Sequence, residues 1–92
     1  MLEEQKHLDI PFDDIARLTD REIQIFLRQV DTRDLAVAMK DATQETNKRI
    51  FSNVSDRVEG MIRLEMDLSG APPAHVKSIQ GRVSQKIGRA HV

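Results

Sequence analysis

The sequence predicts an all-α domain, a compact orthogonal array of about six short helices. Three observations carry that prediction. Apolar residues recur three and four apart in every segment after Ile10, the spacing of one helix face. Side chains suited to helix starts (Thr19, Asp31, Thr43 and Ser55) stand before successive periodic runs, separated by short breaks. No stretch sustains the apolar/polar alternation of a half-buried strand.

Met1–Asp9 is polar, charged and without periodicity, which predicts a frayed lead-in or linker remnant before a domain spanning residues 10–92. Pro11 then opens a helical turn that points Phe12, Ile15 and Leu18 inward. Thr19-Asp20 starts the next helix with Glu22 supporting the cap, and Ile23, Phe26, Leu27 and Val30 mark its inner stripe. Asp31-Thr32 restarts the chain, and Leu35, Ala36, Ala38 and Met39 fill a third helix ending near Lys40. Thr43 caps a fourth, with Ile50 and Phe51 inward and Val54 just beyond.

The stretch Asn53–Gly70 reads as one charged helix. Ser55 is its N-cap, Asp56 suits the positive end of its dipole, and Gly70 is expected to supply a left-handed residue past its end. At about 100° per residue, Val58, Met61, Ile62, Met66 and Leu68 fall on the inward half, and Arg57, Arg63, Asp67 and the apolar Leu64 on the outward half. Glu65 falls near the middle of the apolar arc, so it must sit at the domain's edge or find a cationic partner. After Pro72-Pro73, Val76, Ile79, Val83 and Ile87 define a longer last helix, which Gly81 and Gly88 weaken by about 1 kcal/mol each relative to Ala.

The 92 residues make one small domain, with only Phe12, Phe26 and Phe51 as aromatics, so the core is aliphatic and Met-rich. No cysteine is present, which suits the cytoplasm. No apolar run is long enough to span a bilayer or to form a signal-peptide core, so no direct membrane insertion is expected. All fifteen acids precede Leu68, whereas Lys77, Arg82, Lys86 and Arg89 follow it. Four dispersed bases without aromatics to stack on make a weak case for nucleic acid, and a solvated or partner-facing helix is the expectation.

Catalytic and metal patterns fail in turn. His7, His75 and His91 lie too far apart for helical metal-ligand spacing. Asp13 and Asp14 are adjacent, point about 100° apart and suit a helix start better than a shared proton or ion. No serine sits in a nucleophile-elbow pattern, and the four glycines form no phosphate loop. Neither an enzyme nor a cofactor is expected. What survives is a charged surface: Lys40, Arg57 and Arg63 with Glu59, Glu65 and Asp67.

Two runs carry a resemblance. FDDIARLTDREIQIFLRQVDTRDLAVAMK (Phe12–Lys40) and IFSNVSDRVEGMIRLEMDLSG (Ile50–Gly70) resemble the C-terminal domain of the flagellar motor switch protein FliG. The resemblance implies a six-helix domain at the cytoplasmic rim of the rotor, peripheral to the inner membrane at the flagellar basal body. It further implies a charged ridge facing the cytoplasmic loop of the stator protein MotA, with FliM and neighbouring FliG copies as other partners. Torque generation and the setting of rotation direction would follow. The family's basic ridge positions match Lys40 and Arg57, and its acidic pair falls on Leu64 and Glu65, so only the second acid is kept. A basic position after the Gly-Pro turn has no match in Gly70-Ala71-Pro72-Pro73, and of the Met-Phe-x-Phe hinge only Phe12 remains. These departures define an alternative: a divergent FliG-like protein-binding module, docking through Leu64 and the basic last helix, that no longer generates torque.

Overall fold

The computed structural model describes residues 11–90, with side chains as far as Ile87. The lead-in, the hinge positions Asp9 and Ile10, and His7 and His91 lie outside the described residues. A 3-10 helix over Phe12–Arg17 is followed by α1 (Asp20–Leu27), α2 (Thr32–Met39), α3 (Gln44–Phe51), α4 (Asp56–Leu68) and α5 (Pro73–Ala90). The architecture is all-α, as the sequence predicts. Among the described residues no helix is long and apolar enough to cross a membrane.

The starts of α1 to α4 are each set by a side chain that accepts an N–H of the first turn. Thr19 forms a full capping box: the Glu22 N–H donates to Thr19 Oγ1 at 3.1 Å and the Thr19 N–H to Glu22 Oε1 at 2.9 Å. Asp31 accepts from the Arg33 and Asp34 N–H groups, Thr43 from Thr46, and Ser55 from Val58. Pro73 opens α5 at the first helical position, where its missing N–H costs nothing, and Pro72 O accepts the Val76 N–H at 3.0 Å.

α2 is the centre of the packing, lying against both α4 and α5, while the 3-10 helix closes over α3 and α5. Leu35, Ala36, Ala38 and Met39 are all buried, so α2 is covered over a wide arc of its surface. Phe12, Ile15, Leu18, Ile23, Phe26, Ile50 and Ile62 join them, and α5 contributes Val76, Ile79, Val83 and Ile87, all buried as their spacing predicts. Phe51 and Val54 are only partly covered.

Asp13 does more than favour a helix dipole. Its Oδ1 accepts the Thr43 N–H at 3.0 Å, and its carbonyl accepts the hydroxyl of the fully buried Thr46 at 3.4 Å. The 3-10 helix is thereby pinned to the start of α3.

Two expectations on α4 are corrected. Met61 and Leu68 do not turn inward; they are 51% and 71% exposed. α4 lies chiefly against α2, so its contact stripe is narrow: Ile62 is buried, Val58 and Met66 are half-buried, and residues flanking that stripe stay in water. Gly70 supplies no left-handed residue, since no described glycine has positive φ. α4 ends instead on Ser69 in an extended conformation, with its N–H bonded to Glu65 O at 3.0 Å. Lys40 Nζ donates to Ser69 O at 2.6 Å, so a cation from the end of α2 meets a carbonyl just past the negative end of α4.

Candidate interaction face on α4

The outward side of α4 is built by the same 3.6-residue period that buries Ile62. At about 100° per residue, Leu64 lies opposite the buried arc, with Arg57, Gly60 and Asp67 within about 60° of it. Leu64 is 59% exposed, as its position predicts. Arg57 and Asp67 are exposed, and among the described residues neither has an ion-pair or hydrogen-bond partner. They are the two uncommitted charges of this face, one in the first turn and one in the last.

The remaining site residues are engaged within the fold. Arg63 donates from Nε to Glu59 Oε2 at 2.9 Å, with Nη2 at 2.8 Å from the same oxygen, an i,i+4 pair. Its guanidinium carbon also stands 4.3 Å from the centre of the Phe51 ring, which turns the side chain toward α3. Glu65 sits half-buried at the domain's edge, its Oε1 3.9 Å from Arg33 Nε on α2. Both the edge and the cationic partner are therefore present, although Arg33 itself is largely in water. Lys40 is exposed, but its ammonium is held by Ser69 O. That places it beyond the last turn of α4, about 18 Å along the axis from Arg57 at 1.5 Å per residue.

The structure thus strings the site residues along one helix instead of clustering them. Lys40 marks the C-terminal end, Arg57 the N-terminal end, and Leu64 and Asp67 lie between. Sequence reasoning missed Arg33, which nothing local ties to Glu65. It also missed Met61 and Leu68 as surface residues, although a signal was available: they lie only about 60° and about 40° from Leu64 around the helix. On α5, Lys77 Nζ stands 3.6 Å from Asp41 Oδ2, and Arg82 is exposed.

Comparison with known proteins identifies the family. The family model described as the FliG C-terminal domain matches residues 1–91. The chain is 43% identical over 76 residues to the flagellar motor switch protein FliG of Thermotoga maritima, covering 83% of this chain and 22% of that protein. It is 36% identical over 87 residues to FliG of Borreliella burgdorferi, covering 95% of this chain and 24% of the relative. FliG of Bacillus subtilis is 32% identical over 87 residues, covering 95% and 25%. The chain therefore spans about a quarter of the length of the curated relatives it matches. A match over nearly the whole chain, on an all-helical frame, makes this protein a member of the FliG C-terminal domain family of the flagellar motor switch.

Proposed function

We propose that this domain is a rotor-side element of the flagellar motor switch that meets the stator through the outward face of α4. In this reading the contact generates torque and its rearrangement sets the direction of rotation. The observation that carries it is Arg57, exposed in the first turn of α4 with no partner among the described residues. An uncommitted guanidinium meets an acidic surface, here the cytoplasmic loop of a MotA-type stator protein, without first breaking an internal ion pair. Asp67, and Glu65 once it leaves Arg33, offer the opposite sign to basic groups on the same partner. Exposed pairs of this kind are worth up to about 1 kcal/mol each, which suits a contact that forms and breaks repeatedly. The site of action is the cytoplasmic side of the inner membrane at the basal body, with FliM and neighbouring FliG copies as further partners.

The test is Arg57→Glu in the native host, with flagella counted and swimming speed tracked. Slower or absent swimming with flagella still assembled, and with the purified domain folded as before, is the expected outcome. Normal swimming would remove Arg57 from torque generation.

One observation favours a second reading. Leu64, 59% exposed, occupies the position of the family's first ridge acid, and an apolar side chain there suits a lasting protein contact better than a transient electrostatic one. The chain would then be a FliG-like binding module outside torque generation. Deleting it separates the two: paralysis with intact flagella supports torque, and undisturbed swimming supports the module.

A further inference from the structure

The three large exposed apolar side chains of the described residues, Met61, Leu64 and Leu68, all stand on α4. Between the first turn and Met61 lies Gly60, in the helix interior, where glycine weakens a helix. Nothing inside the fold requires it. Its φ is not positive, and a Cβ built there meets no atom within 4 Å. What glycine provides at an exposed helical position is a notch, a place where another chain's side chain approaches the backbone closely.

We propose that α4 docks antiparallel on α4 of a second copy of this chain. The face is self-complementary about one point. Arg57 and Asp67 lie five residues either side of Ile62, and Gly60 and Leu64 two either side of it. A two-fold axis on the outer side of the helix at the level of Ile62 therefore satisfies both relations at once. It sets Arg57 against Asp67 of the partner subunit, and Leu64 into the notch at Gly60 of the partner subunit, each contact occurring twice. The two uncommitted charges of the face are thus paired, while Met61 and Leu68 flank the contact. A partner helix of one charge sign would leave either Arg57 or Asp67 opposed to its like. The inference goes beyond the torque reading, and it gives the same face a second occupant: a docked copy covers Arg57.

One helix face falls short of the ~800 Å² per partner of stable complexes, so the dimer is weak and forms at high micromolar concentration or above. Sedimentation equilibrium of the full chain, from micromolar to about 1 mM, tests it without any stator component. Self-association is expected, weakened about tenfold by Arg57→Asp or by Asp67→Arg, since each places like charges together at both pairs. Mixing the Arg57→Asp chain with the Asp67→Arg chain restores association, because the opposed charges are again complementary. Gly60→Glu, which fills the notch at an open surface position, abolishes it. Circular dichroism checks that every variant keeps its helices. A chain that stays monomeric to about 1 mM overturns the proposal, as does an association that Arg57→Asp leaves unchanged or that the mixture fails to restore.

Discussion

Arg49 is the residue on which three segments converge. It donates to Asp20 Oδ1 at 2.8 Å in the first turn of α1 and to the Leu18 carbonyl just before that helix. Asn53, past the end of α3, donates to the same Asp20 oxygen at 3.2 Å and accepts from Gln24 at 3.2 Å. The Asn53 amide first, then the Arg49 guanidinium, hold the Asp20 carboxyl below its ordinary value of 3.8. A carboxylate depressed by folding adds stability that is fully present above 3.8 and is lost as the pH falls through the lower, folded value. Asp20→Asn should therefore lower the urea midpoint at pH 6 and converge with the parent near pH 2. The gap is modest, because Asp20 is largely in water and salt screens it. An equal gap at both pH values would mean that Asp20 acts through shape and not charge. None of this node was legible in the sequence, since its partners lie about thirty residues apart and no local period links them.

Helix starts were legible and one helix face was not, and the difference is physical. Thr19, Asp31, Thr43 and Ser55 act on N–H groups two or three residues ahead, so the sequence contains the whole interaction. Which arc of α4 is covered depends on where α2 lies, which no residue of α4 encodes; hence Met61 and Leu68 were expected inside and stand outside. The charged positions of the candidate site are legible as the surface pattern that survives once catalytic and metal patterns fail, and the family resemblance singles out Lys40, Arg57 and Glu65 among them, while Gly60 became informative only once its surroundings were visible. Gly81 separates propensity from packing. It lies exposed within α5 with no positive φ, and a Cβ added to it meets no atom within 4 Å, so alanine gains helix propensity without a clash. Gly81→Ala should raise stability by about 1 kcal/mol, or about 4–8 °C in Tm for a domain of this size. An unchanged or lower Tm would show that the middle of α5 needs a freedom the structure does not display.

The whole molecule is one aliphatic core with a charged helix at its side, and the two respond differently to substitution. Met39, fully buried near the end of α2, stands where that helix serves both α4 and α5. Its backbone is committed as well, since Met39 O accepts from Asn47 Nδ2 at 3.1 Å on α3. Truncation to alanine removes buried surface and leaves a cavity, at about 2–5 kcal/mol for such a site. A domain of this length has roughly 5–10 kcal/mol in total, so Met39→Ala should remove about a fifth or more of it. With one core shared by every described helix, the loss should appear as a single earlier urea transition, with circular dichroism and hydrogen exchange on α4 moving together. If exchange on α4 rose while the circular dichroism midpoint held, α4 would be an independently opening unit. The contrast bears on the proposed torque role: if that reading holds, Met39→Ala and Arg57→Glu both impair swimming, but only Met39→Ala should do so by lowering the folded population. Arg57 makes no ion pair or hydrogen bond with another described residue that folding would lose, so its reversal should leave the urea midpoint within about 0.5 kcal/mol of the parent. A motility defect with an unmoved midpoint is then a defect of the face alone.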